Sequence, residues 1–248
     1  MDLGIKDQTA IVTGGGRGIG AEIALALAEE GARVLVWDRD QEPADEVARL
    51  ITSKGGTAIA FRGDVTSSDD TVRAVATAKE ELGGMHILVN NAGFTRNIPF
   101  PQMTEQLWSE VIDVCLNGVF RVTHAALPHM LEAGYGRIVT IASRAISGTL
   151  HGTNYSAAKA GVIGFTKALA MEVGARGVTV NTVSPGLIRT ERVKQHKYFA
   201  ELDARWRAQA LIPRAGEPRD IANAVLYLSS QGAGYVTGEN IMVAGGLF

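Results

Sequence analysis

Seven short β-rich apolar runs alternating with longer helical stretches predict a doubly wound α/β domain, a seven-stranded parallel sheet with helices on both faces. The runs are nearly continuous in Val, Ile, Leu and Ala instead of alternating apolar with polar, as strands buried on both faces require. The first run also passes straight into a glycine-rich turn that opens a helix, the order of a βαβ unit.

In chain order, strands are expected at TAIVTG (9–14), RVLVW (33–37), TAIAF (57–61), HILVN (86–90), RIVTIA (137–142), VTVNTVS (178–184) and NIMVA (240–244). The stretch IGAEIALALAEEGA forms a helix that stops at Gly31, a residue free to take the left-handed conformation that ends helices. SDDTVRAVATAKEELGG forms another, capped by Ser68 and Asp69 and closed at Gly83. Residues 187–216 break the rhythm between the sixth strand and the last helix and are expected to form a substrate-binding lid. With no repeat, low-complexity stretch or proline-rich linker, residues 1–248 read as one domain.

Composition narrows the partners. Lys and Arg number 24 against 26 Asp and Glu, so no basic excess points to a nucleic acid or an anionic membrane, and a small-molecule partner is expected. The start, MDLGIKDQTAIVTGGG, lacks the basic-then-apolar pattern of a leader, and no apolar run is long enough to span a bilayer; a cytoplasmic protein is expected. Cys115 is the only cysteine, so no internal disulfide can form, and in VIDVCLNGVF it reads as a packing residue. No His, Cys or carboxylate cluster has metal-ligand spacing, and His151 is not read as a ligand; no metal is expected.

TGGGRGIG, directly after the first strand, places Gly14, Gly18 and Gly20 where main-chain amides and a helix N-terminus can receive a dinucleotide's pyrophosphate. The spacing is T-G-x-x-x-G-x-G, not the commoner G-x-G-x-x-G. Asp38 ends the second strand, where a carboxylate can accept from the adenosine ribose hydroxyls and repel a 2′-phosphate by about 4 kcal/mol at ~4 Å. NAD is therefore expected over NADP, with Arg17 and Arg39 the flanking cations that argue the other way. GDVTSSDD puts Asp64 and Val65 after the third strand, Asp64 being also a candidate helix cap, and NNAGFT puts Asn90 to Gly93 after the fourth.

Tyr155 and Lys159 stand four residues apart in NYSAAKAGVIGFTKALAMEV, on one face of a helix. A phenol is a poor base at neutral pH, but an ammonium at ~4 Å with an effective dielectric near 20 favours its anion by about 4 kcal/mol. The pair can thus move a proton, and Ser143 precedes Tyr155 by 12 residues.

With TGGGRGIG, GDV, NNAG, a mid-helical Asn117, Ser143, YSAAK and SPG in order, the chain resembles the short-chain dehydrogenase/reductase family, with its Rossmann-type fold, over essentially its whole length. The resemblance implies that Tyr155 is the general acid/base, that Lys159 favours its phenolate and holds the nicotinamide ribose, that Ser143 binds the substrate oxygen and that Asn117 supports a proton-relay water. It likewise implies cofactor contacts at Gly14, Arg17, Gly18, Ile19, Asp38, Asp64, Val65, Asn91 and Gly93, and at Pro185, Gly186, Ile188 and Thr190 beside the nicotinamide. A homotetramer built partly on long helices at about 104–132 and 154–174 is also implied.

Some positions depart from the family. The Ser143–Tyr155 interval is one residue shorter than is common, leaving SRAISGTLHGTN on the substrate side with Ser147 as a second hydroxyl; Ala158 and Ala244 replace residues more often polar. The expected activity is an NAD-dependent interconversion of a secondary alcohol and a ketone, as an alcohol dehydrogenase or carbonyl reductase. An NADPH-dependent 3-oxoacyl-carrier reductase, acting on acyl carrier protein or CoA thioesters, shares the same positions; Asp38 speaks against it. A non-catalytic NAD-binding sensor is the reading from another class. The lid carries Arg189, Arg192, Lys194, Lys197, Arg205 and Arg207 against Glu191, Glu201 and Asp203, and His151, Thr153 and Phe94 are pocket candidates by position.

Overall fold

The computed structural model describes residues 3–195 and 197–247; Met1, Asp2, His196 and Phe248, all inside the expected single domain, lie outside the described residues. Strands β1 (Thr9–Thr13), β2 (Arg33–Asp38), β3 (Thr57–Arg62), β4 (Ile87–Asn90), β5 (Gly136–Ile141), β6 (Val178–Pro185) and β7 (Asn240–Val243) form one sheet. Every pairing is parallel, in the order β3-β2-β1-β4-β5-β6-β7. The order reverses between β1 and β4, and there the loops at the C-terminal edge diverge to leave a crevice.

Alternate residues of each strand serve opposite faces, and both faces are apolar. Ala10 and Val12 of β1 pack with α1 (Gly18–Glu29), α2 (Gln41–Ser53) and α9 (Pro218–Ser229) through residues such as Leu27, Ile51 and Ile221. Ile11 of the same strand points the other way, to α3 (Ser68–Leu82), α5 (Gly118–Ala133) and α6 (Thr153–Val173), among Val75, Met130 and Val173. Each such side chain taken from water contributes about 1.5–3 kcal/mol, so the continuous apolar strand pattern is what holds a three-layer sandwich together.

Helix α3 begins one residue earlier than expected: Ser67, not Ser68 or Asp69, accepts from the Asp70 amide, and Gly83 closes the helix at φ 87. The expected helix at 104–132 is three pieces in line, α4 (Glu105–Ile112), a π-helical turn Asp113–Asn117, and α5. The 187–216 segment, expected to be a lid, holds α7 (Glu191–Lys194) and α8 (Phe199–Gln209), and Arg189 ties it together by donating to Asp203 of α8.

At the opposite edge of the sheet, His86 accepts from the Thr9 amide at 2.9 Å through Nδ1, which requires that nitrogen to be unprotonated. Burial first, then the nearby Arg33, pushes the imidazolium's pKa below the ordinary histidine value. The unfolded chain therefore takes a proton at a pH where the folded chain does not, and stability falls as pH drops below about 6.5. A His86→Asn variant is expected to show a flatter decline of Tm between pH 7.5 and 5.5; an unchanged slope would remove His86 from the account.

Candidate active site

The glycine turn is shaped by contacts that only glycine permits. Gly18 holds φ 56, and a methyl on Gly20 would collide with the Gly14 carbonyl oxygen. Asn91, after β4, donates through Nδ2 to the Thr13 and Gly14 carbonyls at 3.0 Å each, while Thr13 Oγ1 accepts from the Asn91 and Ala92 amides. The Asn91 side chain thus braces the turn, and the open amides at the start of α1, Ile19 among them, are left to face a ligand.

Asp38 projects from the end of β2 against this turn. Its Oδ2 accepts from the Gly16 amide at 3.0 Å and its Oδ1 from Asp40 at 3.1 Å, so both oxygens are oriented yet keep lone pairs for further donors. Arg17 gives its hydrogen bond elsewhere: its guanidinium is bound to Asp40 at 2.7 Å on the surface, and the Asp38 charge acts on it only through space. Asp64 caps no helix either; its Oδ1 accepts from the Thr66 amide and hydroxyl in a local turn, and Val65 is buried against Gly118.

Pro185 ends β6 and Gly186 follows it beneath the 187–216 segment, where a methyl on Gly186 would come within 2.5 Å of Trp206. The Ile188 side chain is buried in the core, so any ligand contact falls to its main chain. Thr190 Oγ1 caps α7, and its methyl reaches across the crevice toward Gly18. Asp38 at Gly16, Asn91 at Gly14 and Thr190 at Gly18 bring the loops after β1, β2, β4 and β6 to one crevice, whereas Asp64 and Val65 make their contacts with Thr66 and Gly118.

Ser143 follows β5. Its Oγ accepts from the Ala145 amide at 3.1 Å, which leaves the hydroxyl hydrogen to be given elsewhere. Ser147 is exposed at the far end of the short turn that Ser143 caps. Tyr155 and Lys159 share a face of α6, with Lys159 Nζ 5.7 Å from the Tyr155 ring centroid. Lys159 is 2% exposed and donates to the Ile141 carbonyl at 2.6 Å, so one protein acceptor is shown for an ammonium with three donors.

Asn154, which the sequence gave no reason to single out, fixes where Tyr155 stands. Fully buried, it donates to the Leu107 carbonyl at 3.2 Å and accepts from the Tyr155 amide at 2.8 Å, tying α6 to α4. The loop before it is held by His151, whose carbonyl accepts from Ile98 and whose φ of 62 is a conformation that costs a non-glycine residue about 1–2 kcal/mol.

Asn117 is not brought to this cluster. It is exposed, and its amide donates to Asp113 at 3.0 Å beside Arg121; that hydrogen bond first, and Arg121 second, hold the Asp113 carboxyl below its usual range. The residue that faces the site from this helix is Cys115. It is fully buried among Phe94, Tyr155 and Ala158, and a methyl on Gly93 would lie 3.3 Å from its Sγ and 3.6 Å from Lys159 Nζ. Asn117 is offered by the family resemblance and its residue type, and neither reports which side chain the π turn at Asp113–Asn117 buries. Asn117→Ala is expected to change kcat/KM by less than about threefold, as for other surface substitutions. A loss near a hundredfold in steady-state assays would return Asn117 to the site.

A cavity of about 190 Å³ lies behind Trp206 between the 187–216 segment, α9 and β7; none of Ser143, Tyr155 or Lys159 lines it. Among the described residues, no helix is long and apolar enough to cross a membrane, and no group of three His, Cys, Asp or Glu could hold a metal ion.

A seven-stranded doubly wound sheet with a glycine-rich strand–turn–helix unit and a Tyr–Lys pair on one helix face is the architecture of a nicotinamide-dependent oxidoreductase. The chain belongs to the short-chain dehydrogenase/reductase family. A family model described as enoyl-(acyl carrier protein) reductase matches residues 14–248. An acetoacetyl-CoA reductase of Rhizobium meliloti (strain 1021) is 42% identical over 97% of this chain and 98% of its own. A 3-oxoacyl-(acyl-carrier-protein) reductase of Vibrio cholerae is 40% identical over 99% of each. The solved structure of a short-chain type dehydrogenase/reductase from Mycobacterium marinum superposes with a TM-score of 0.92 at 34% identity, over 99% of this chain and 97% of that one.

Proposed function

We propose that the protein interconverts a secondary alcohol and a ketone with NAD as hydride partner, Tyr155 being the general acid/base. The single observation that carries the choice of NAD is Asp38, whose carboxylate is oriented by two main-chain amides and whose nearest cation candidate, Arg17, is bound to Asp40. The glycine cradle, braced by Asn91 and closed by Thr190, fits a pyrophosphate, and Pro185, Gly186 and the main chain of Ile188 flank the position of a nicotinamide.

When bound, the nicotinamide supplies the hydride acceptor in oxidation and the donor in reduction. In oxidation the carbinol hydrogen leaves as hydride while the hydroxyl proton passes to the Tyr155 phenolate; Ser143 donates its free hydroxyl hydrogen to the same oxygen. In reduction Tyr155 returns that proton. Lys159, beside the ring and with donors to spare, stabilises the phenolate and reaches the ribose. Asn117, to which the resemblance gives a proton-relay water, is turned away to Asp113, and Cys115 is the residue of this helix buried beside the pair, so proton exchange with solvent proceeds here without a water held by Asn117.

A second reading, reduction of 3-oxoacyl thioesters, is favoured by the names of the two relatives given above. Absorbance at 340 nm with NAD⁺ or NADP⁺ and a panel of secondary alcohols, and with NADH or NADPH and acetoacetyl-CoA, separates the two. Faster turnover with NADP(H), or with the thioester alone, would overturn the first reading; tight NAD binding without any turnover would leave a sensor. The homotetramer is supported by apolar residues left open on the two long helices, Phe120 of α5 and Met171 of α6, while Val162 faces the core. Cytoplasmic residence is part of the same proposal.

A further inference from the structure

We propose that Arg144 is the anion-recognising group of the substrate site, so that the substrate is a short hydroxy acid or oxo acid whose carboxylate binds Arg144 while its reacting carbon lies at Ser143 and Tyr155. The inference rests on the hydride-transfer reading and adds the class of substrate.

Arg144 is the residue next to Ser143, in the first turn after β5, and it is half-buried. Its guanidinium lies over the Trp206 ring, 5.6 Å from the centroid. Trp206 is itself 7% exposed and packed against Gly186, at the junction of lid and crevice. A guanidinium over a ring face keeps its N–H groups in its own plane, pointing outward from the stack. Those five donors are arranged for a planar carboxylate, and among the described residues no hydrogen bond or carboxylate partner satisfies them.

The other cations around the mouth are occupied or exposed. Arg96 is paired with Glu110, Arg189 with Asp203 and Glu217, Arg207 with Asp203, and Arg214 with Asp220. Arg192 and Arg205 stand on the outer face of the lid. Arg144 alone among these is partly withdrawn from water without an anion, and it is one residue from the hydroxyl that holds the reacting oxygen. Consecutive Cα atoms are about 3.8 Å apart and an arginine reaches roughly 6 Å beyond its own, so an anion at the guanidinium lies within roughly 12 Å of the Ser143 hydroxyl, which keeps the substrate small.

The test compares 3-hydroxybutyrate, its methyl ester and 2-butanol in the full-length protein with NAD⁺, by kcat and KM and by calorimetric titration of each compound into the wild type, Arg144→Gln and Arg144→Lys. The acid is expected to be the best of the three. Arg144→Gln should raise its KM and weaken its binding roughly 10- to 100-fold, with the ester changed less than about threefold and Arg144→Lys in between. Equal losses for acid and ester would make Arg144 a brace for Trp206 and overturn the inference. So would a wild type that oxidises the neutral compounds and neither binds nor oxidises the acid, and in that case the hydride-transfer reading stands. If nothing is oxidised, the titration still decides: acid bound by the wild type and lost in Arg144→Gln supports the anion site, and no acid binding overturns it.

Discussion

Replacing Tyr155 by phenylalanine is expected to lower kcat about 10²- to 10⁴-fold, the range a positioned acid/base contributes, with NAD binding nearly unchanged. The ring stays in place because its position is set by the main chain and by Asn154, whose Oδ1 accepts the Tyr155 amide, and not by the phenol. Only the oxygen that exchanges the proton is lost. Single-turnover absorbance at 340 nm, alongside fluorescence titration of NADH, separates chemistry from binding. A variant that keeps more than a tenth of the wild-type kcat would remove Tyr155 from the acid/base role.

Lys159→Met is expected to cost both rate and affinity while leaving the fold intact or firmer. Lys159 is a nearly fully buried cation with one protein acceptor, the Ile141 carbonyl, and burying a charge so thinly compensated costs several kcal/mol. Methionine keeps most of the volume and removes the charge, so Tm should hold or rise. The ribose contact proposed for Lys159 is a charge-assisted hydrogen bond, and its loss should weaken NAD binding roughly 10- to 100-fold; kcat should fall further as the proposed phenolate loses its cation. A calorimetric Tm well below wild type, or unchanged NAD affinity, would contradict this account. A residue kept at the expense of stability in this way is placed for its chemistry.

The two variants also show how differently the parts of this site could be read. Tyr155 and Lys159 were legible because an α-helix brings positions four apart to one face whatever surrounds it. The glycine turn and Asp38 were legible because strand, turn and helix follow each other without interruption. The strands came within a residue or two of their observed ends, since runs buried on both faces carry a pattern that solvent-facing segments lack. Gly18 and Gly20 were visible as glycines, but the reason for Gly20, the Gly14 carbonyl across the turn, belongs to the folded chain.

Asn117 marks the limit. The family resemblance offers Asn117 to the site, whereas in the folded chain the π turn at Asp113–Asn117 leaves it exposed and buries Cys115 near Lys159. Arg17 was placed correctly in the turn, but its side chain is drawn to Asp40 by an attraction between residues 23 positions apart, which neither local pattern nor spacing reports.

The sequence by itself determined the layered α/β architecture, the strand–glycine turn–helix unit and the spacing that puts Tyr155 and Lys159 on one helix face, because each depends on contacts between neighbours in the chain or on a period that one element imposes; the strand order and its reversal between β1 and β4 come only from the folded sheet. Only the tertiary structure decided which side chain of the mid-chain helix enters the site, which cations find carboxylates, and that Asn154 and Arg144 stand where they do. Those outcomes depend on pairings over tens of residues, Asn154 with Leu107 and Arg144 with Trp206, that exist only once the sheet has brought distant segments together.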